Sequence, residues 1–317
     1  MLLPLVVVLL VLLPVRCWAW GPITHLAHGA EVLAHLTIFS VGLQRLLRRH
    51  RLAYLYGCVG ADITQAKKYT RSEQAHCHSW RVGWQVLEQA TTDEQRAFAY
   101  GYLTHLASDV LSHNHYVPIQ LVVSYRAFAF RHVYWEARFD TLQNESIREL
   151  VRELRAREFP ACDALVRRAV ERTLFSFDTD KRIFNTFIAI HDLDQWHRVL
   201  RRLTRNSRYV LPVEMATLYN RVCCAGIFEM LERGREASNQ ATDPTGLVAL
   251  HTANRVRQGL RRLARQGPLP PRIQQLLDQL NRRDDLRRAL SSESAIETSG
   301  ALHDALHQLG HATGSGR

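Results

Sequence analysis

Long apolar runs are scarce in this sequence, and most patterns that mark the common fold classes are missing. Only residues 1–15 form a continuous apolar block, so no later segment offers the roughly 20 apolar residues that a spanning helix needs. The alternation of apolar and polar residues that marks a half-buried β-strand hardly occurs. There is also no internal repeat, no glycine-rich phosphate loop and no sustained heptad pattern. These absences argue against a membrane bundle, a nucleotide-binding α/β fold and a long coiled coil.

Cysteine is sparse as well. The chain has six cysteines, of which Cys17 falls in the apolar leader and five follow it. An odd number does not indicate a complete disulfide framework. The cysteine count therefore leaves the redox environment of the chain open.

The leader itself predicts export. The block MLLPLVVVLLVLLPV is followed by Arg16 and then by the small residue Ala19, as in the apolar region and cleavage site of a signal peptide. We expect residues 1–19 to be removed and the product to be periplasmic or secreted, with Trp20 as its first residue. An uncleaved anchor is one alternative, and a lipoprotein formed at Cys17 is a weaker one because Arg16 stands where a small residue is usual.

What the sequence does contain is helical periodicity. Apolar residues recur at the i, i+3, i+4 spacing of an amphipathic helix in almost every long segment. This predicts an all-α, multi-helix bundle over residues 20–290, followed by a polar, loose tail over residues 291–317. The expected helices lie at about 23–37, 41–56, 82–91, 94–117, 119–142, 160–177, 180–204, 212–237, 243–266 and 271–290.

The chain is basic, with a formal net charge of +11 from 41 Lys and Arg against 30 Asp and Glu. A basic exported protein suits anionic partners such as a phospholipid surface or nucleic acid, although charge governs the encounter and not the chemistry. The arginine-rich runs of the second half follow helical spacing, so a solvated helix face is their simpler interpretation. No feature indicates a protein partner.

Histidine is abundant, with 16 in the chain. In the segment GYLTHLASDVLSHNHYVP, His105, Asp109 and His113 stand at i, i+4 and i+8, so a helix would project all three from one face. His132 and Glu136 repeat the i, i+4 spacing. Imidazole and carboxylate groups four residues apart on one helix face can bind a single cation. Each pair alone is weak evidence, but apolar neighbours predict that both faces are buried, where charged groups need a partner or a metal.

Further candidate ligands precede this segment. WGPITH directly follows the expected cleavage site and contains Trp20 and His25, CVGADITQ contains Asp62, and AHCHSW contains His76 and His78. Cleavage before Trp20 would create an α-amino group beside a carbonyl oxygen, which together can chelate a metal. Histidines with no evident role, such as His28, show that this residue type is not diagnostic by itself.

The ordered set Trp, His, Asp, His, His-x-x-x-Asp, His, His-x-x-x-Glu over residues 20–140 resembles the zinc-dependent phospholipase C family and, more distantly, the fungal zinc nucleases that share its fold. The resemblance implies an all-helical fold and three zinc ions. It also implies that Asp62 orients or deprotonates the attacking water and that Asp109 bridges the first two ions. The implied ligands are Trp20, His25 and Asp109 for the first ion, Asp62, His78, His105 and Asp109 for the second, and His113, His132 and Glu136 for the third.

Several alternatives remain open at the level of sequence. The spacing in the best-known phospholipases would select His115 in place of His113, whereas the helix face and the His-Asn-x-x-Val-Pro segment favour His113. His76 competes with His78, which stands in the family's His-x-Trp form. We expect hydrolysis of phospholipid head-group phosphodiesters. A single-strand nuclease and a non-catalytic metal-binding helical protein are the alternatives.

Overall fold

The computed structural model of the chain describes residues 20–64, 76–127, 132–170, 176–192, 198, 211–282 and 295–314. These residues form helices and turns without any β-strand, which confirms the all-α fold class. The predicted signal peptide lies outside the described ranges. The α-helices are α1 (Pro22–Ala34), α2 (Val41–Arg49), α3 (Arg51–Gly57), α4 (Trp80–Glu88), α5 (Asp93–Leu111), α6 (Val117–Val123), α7 (His132–Asp140), α8 (Ile147–Arg155), α9 (Pro160–Ala169), α10 (Phe177–Asp192), α11 (Val213–Arg233), α12 (Leu247–Gln266), α13 (Pro271–Arg282) and α14 (Ala295–Ala312).

None of the described helices combines the length and the apolar composition that crossing a bilayer requires. The five cysteines after the leader are all free thiols. Hydrophobic packing therefore holds these helices together without disulfide bonds.

Helix α5 packs most closely against α3, through two glycines. A Cβ atom on Gly101 would lie 2.0 Å from the carbonyl oxygen of Tyr54, and one on Gly57 would lie 2.0 Å from that of Phe98. No larger residue fits at either position without separating the helices. The crossing brings Cys58, at the end of α3, next to His105, one turn beyond Gly101 on α5.

The regular turns of α5 end at Leu111, and residues Ser112–Tyr116 form a π-helical turn before α6 begins. Pro118 lies in the first turn of α6 and has no N–H for the helical ladder. Within the widened turn the side chain of Asn114 donates to the Val110 carbonyl at 3.0 Å. The predicted helix 94–117 therefore continues into the next helix through a widened turn.

Other helix boundaries also differ from the prediction. The expected helix 119–142 is two helices, α6 and α7, because the chain turns after Val123. The expected helix 41–56 is interrupted at His50, and α8 was not predicted. The prediction of a loose tail after residue 290 is wrong for Ala295–Ala312. These residues form α14, in which Leu306 and Leu309 are buried.

Two hydrophobic clusters lie along α5. Leu103 and Leu106 belong to the first, which joins α1–α5 with α8–α10 and part of α11. Leu111 and Tyr116 belong to the second, which joins α6, α7 and α11–α14. The buried polar residues between Leu103 and Tyr116 therefore lie where the chain passes from the first cluster to the second.

Candidate metal centre

Asp109 is the central residue of the site. It is fully buried on α5, and its two carboxylate oxygens face different histidines. Oδ1 lies 3.3 Å from Nε2 of His25 on α1, whereas Oδ2 lies 3.2 Å from Nε2 of His105 and 3.3 Å from Nε2 of His78. His25, His105 and Asp109 thus form one group whose ligand atoms can hold a metal ion. This arrangement of the two oxygens is the one that a bridging carboxylate requires.

Asp62 completes a second group with His78 and His105. It lies in the short 3-10 turn Gly60–Ile63, directly after the α3–α5 crossing. Its Oδ1 lies 3.3 Å from Nε2 of His78, and its Oδ2 lies 4.0 Å from Nε2 of His105. The Nε2 atoms of these two histidines are themselves only 3.0 Å apart.

Hydrogen bonds to the outer ring nitrogens orient these histidines. Nδ1 of His105 lies 2.9 Å from the Cys58 carbonyl, and Nδ1 of His113 lies 2.7 Å from the Pro244 carbonyl. A carbonyl can only accept, so each Nδ1 carries the proton and each Nε2 is left as the metal-binding nitrogen. Nδ1 of His78 contacts the Cys77 sulfur at 3.3 Å.

His113, His132 and Glu136 form a third group. Nε2 of His132 lies 2.5 Å from Oε1 of Glu136 one turn along α7, and the ring of His113 is centred 5.1 Å from that of His132. The turn before α12 packs closely against His113. A Cβ atom on Gly246, in this turn, would lie 2.4 Å from the His113 Cβ. Gly246 also has a φ of +56°, which favours glycine.

The structure separates the competing histidines. His113 faces His132 and Glu136, whereas Nδ1 of His115 lies 3.1 Å from the hydroxyl of Tyr219 on α11. His78 lies with Asp62 and His105, whereas Nδ1 of His76 accepts a hydrogen bond from the His78 backbone N–H at 3.1 Å. His76, Cys77 and His78 also form a compact group of potential ligands.

Electrostatics keep Asp109 ionised in the folded chain. Burial works against its ionisation, but the neighbouring His105 and His25 outweigh burial and hold the pKa of Asp109 well below its usual range. Burial also opposes protonation of His105, and Asp109 and Asp62 outweigh it and raise the pKa of that ring. The pKa of His25 is lowered, first by burial and then by His105.

Trp20 lies beside the centre, in the second hydrophobic cluster, with its side chain fully buried. Its indole N–H donates to the Ser108 carbonyl at 3.2 Å, and its ring stacks on Tyr116 with centroids 4.8 Å apart. Ser108 directly precedes Asp109, so this contact holds Trp20, two residues before the start of α1, close to the centre. Trp20 is in none of these groups, which are made of side chains only.

Sequence reasoning missed Asp140, a buried carboxyl at the end of α7. Its Oδ1 accepts from the Thr24 backbone N–H at 2.9 Å and from the Thr24 hydroxyl at 2.6 Å. Burial raises the pKa of Asp140 to about 7, against the hydrogen bonds from Thr24 and Ile23. The signal was present in the sequence, because Asp140 continues the i, i+4 series of His132 and Glu136.

The donor set fits zinc, which is bound in proteins by imidazole nitrogen and carboxylate oxygen. Neither Asp109 oxygen meets the geometry of a hydrogen bond with any residue in the described ranges, and a buried ionised carboxylate needs a cation beside it, either a protonated imidazole or a metal ion. The Nε2 atoms of His78 and His105 face each other at 3.0 Å, a contact that requires a proton or a cation between them. A divalent cation satisfies both conditions.

One surface cavity of about 460 Å³ lies elsewhere, along α4. Trp80, Trp84 and Arg235 line it, and none of the grouped ligands does. This cavity therefore does not mark the metal centre.

The sequence profile of a family described as zinc-dependent phospholipase C matches residues 24–200, more than half of the chain. The match contains every grouped ligand from His25 to Glu136 and begins after Trp20. Comparison with curated proteins and with solved structures gave no match.

Proposed function

Because the chain belongs to the zinc-dependent phospholipase C family, we propose that it is an exported hydrolase that cleaves the head-group phosphodiester of phospholipids at a site holding three zinc ions. The observation that carries this proposal is the position of Asp109, whose two oxygens face histidines of two adjoining groups. Paired metal ions are a recurring device of phosphodiester hydrolysis.

We assign the three ions to three of the groups described above. His25 and Asp109 would hold the first, together with the amine and carbonyl of Trp20. Asp62, His78, His105 and Asp109 would hold the second, and His113, His132 and Glu136 would hold the third. When bound, such ions would neutralise phosphate oxygens and lower the pKa of a bound water to about 7.

Within this scheme Asp62 has the catalytic role. Among the acidic residues of the groups, Asp109 and Glu136 lie on α-helices, whereas Asp62 lies on a short 3-10 turn. The Asp62 residue is 4 % exposed. Its carboxylate would orient the attacking water and accept its proton. The products would be diacylglycerol and a phosphorylated head group.

Export and maturation belong to the same proposal. Removal of residues 1–19 would give Trp20 a free amine, and the buried indole, which donates to the carbonyl of Ser108 next to Asp109, would fix the position of this first residue. The mature chain would then act in the periplasm or outside the cell, where its net positive charge favours encounter with anionic phospholipid surfaces.

The test compares substrates on the mature protein. The chain is expressed with its leader, its N-terminus is sequenced, and it is assayed on phosphatidylcholine vesicles, on a soluble phosphocholine ester and on single-stranded DNA. Asp109→Asn is the matched inactive control. We expect a start at Trp20, release of phosphocholine from both choline substrates and no cleavage of DNA. Cleavage of DNA alone would replace the proposal with a nuclease, and zinc binding without any hydrolysis would leave a metal-binding protein.

A further inference from the structure

Asp140 is a buried carboxyl to which the proposed chemistry assigns no role. It follows His132 and Glu136 on α7 at the i, i+4, i+8 spacing, so the three side chains share a helix face. His132 and Glu136 belong to the third metal group, but Asp140 belongs to none of the groups. Its carboxylate faces the beginning of α1.

The contacts of Asp140 hold the first turn of α1. Its Oδ1 accepts from the Thr24 N–H and hydroxyl at 2.9 and 2.6 Å, and its Oδ2 accepts from the Ile23 N–H at 3.3 Å. The helix has no capping side chain of its own, because its N-cap residue is Gly21. The carboxyl oxygens of Asp140 therefore serve as the N-terminal cap of α1 from more than a hundred residues away in the sequence.

This cap lies next to a proposed zinc ligand. His25 directly follows Thr24, so the orientation of the first turn determines where its imidazole lies. That ring stacks on His105 with centroids 3.8 Å apart, and its Nε2 reaches Asp109. A rotation of the first turn of α1 would break both contacts.

Gly21 supports the same interpretation independently. Its φ of −68° is open to any residue, so the backbone does not require glycine there. A Cβ atom on Gly21 would, however, lie 2.1 Å from Oδ2 of Asp140. Glycine is needed at this position for the close approach of the carboxylate.

We propose that Asp140 is a positioning residue that docks the first turn of α1 on α7 and thereby sets His25 for the first zinc ion. The inference rests on the proposed zinc ligation by His25. It means that α7 contributes to two metal sites, to one through His132 and Glu136 and to the other through Asp140.

The test is zinc content and affinity, measured site by site with a competing chelator on the mature protein. Asp140→Asn removes the charge and places an N–H group where an acceptor is needed. Gly21→Ala keeps the charge but forces the carboxylate away from α1. We expect both variants to hold two zinc ions where the wild type holds three, with the affinity for the lost ion reduced about 10- to 100-fold.

Asp163→Asn is the matched control. Asp163 is a buried carboxylate on α9 that accepts from the Tyr56 hydroxyl at 2.6 Å and pairs with Lys181. This variant should lower the melting temperature but keep three zinc ions, which separates a loss of stability from a loss of positioning.

Each outcome decides the question. Wild-type zinc affinity in either Asp140→Asn or Gly21→Ala overturns the inference, and so does an equal loss of zinc in Asp163→Asn. A wild type with three zinc ions that fails to hydrolyse any phosphodiester overturns the proposed function alone. A wild type without zinc overturns both.

Discussion

At the scale of single residues, the grouping of candidate ligands was most predictable where helical spacing constrains it. His105 and Asp109, like His132 and Glu136, are four residues apart on one helix, so their common face follows from the spacing alone. The groups that orient them could not be predicted. The carbonyls of Cys58 and Pro244 are backbone atoms, and sequence carries no sign of where a backbone atom will lie.

The choice between His113 and His115 gives a residue-scale prediction. We expect His113→Ala to lose one zinc ion and its activity, because this ring faces His132 and Glu136. His115→Ala should keep the full zinc content, because Nδ1 of His115 contacts Tyr219. Zinc analysis of the two purified variants decides between them. The opposite pattern would mean that the ligand spacing follows the best-known phospholipases.

A second residue-scale prediction concerns acid stability. Burial, and then the neighbouring His25, lower the pKa of His28 to about 3 from the ordinary value of 6.5. At pH values between these two pKa values, His28 is protonated in the unfolded chain but neutral in the folded chain. The free energy of unfolding therefore falls as the pH drops below about 6.5, by up to about 1.4 kcal/mol per pH unit from this group.

Urea unfolding in EDTA, at several pH values between about 7 and 5, measures this effect without a contribution from metal loss. His28→Gln should show a shallower pH dependence than the wild type. The control is His35→Gln, at an exposed position just after the same helix. Parallel pH profiles for His28→Gln and the wild type would remove His28 as the cause.

At the scale of elements, helix type was predictable from periodicity but helix ends were not. The π-helical turn at Ser112–Tyr116 depends on two features. The missing N–H of Pro118 can be read from the sequence. The Asp243 carbonyl, which accepts a hydrogen bond from the Asn114 side chain at 2.7 Å, cannot. Composition misled the prediction for α14. Its polar residues suggested a loose tail, whereas Leu306 and Leu309 pack into the second hydrophobic cluster.

The crossing of α3 and α5 gives an element-scale prediction. In Gly101→Ala the new Cβ would lie 2.0 Å from the Tyr54 carbonyl and 2.9 Å from the Gly57 Cα. We expect the helices to separate, at a cost of about 1–3 kcal/mol in the free energy of unfolding. The separation should also weaken zinc binding, because the Cys58 carbonyl would move away from His105.

Gly42→Ala on α2 is the control, since a Cβ atom at this position would have no neighbouring atom within 4 Å. It should raise stability by about 0.5–1 kcal/mol, the usual gain when alanine replaces glycine inside a helix. Equal stability of Gly101→Ala and Gly42→Ala would show that the crossing tolerates a side chain.

At the scale of the whole molecule, the metal centre joins parts of the chain that the sequence keeps apart. Its candidate ligands come from α1, the turn after α3, the segment before α4, α5, the π-helical turn and α7. The order of these ligands was readable from the sequence because each comes from a short segment with its own pattern. Their convergence depends on long-range packing that no local pattern records, as the contact of Asp140 with Thr24 shows.

The central claim is that these groups bind three zinc ions. The most direct measurement is an anomalous difference map, collected at the zinc edge, from crystals of the mature protein. The account predicts three peaks: one between His25 and Asp109, one among Asp62, His78 and His105, and one among His113, His132 and Glu136. Peaks located elsewhere, or none at these three groups in crystals grown with zinc, would contradict it.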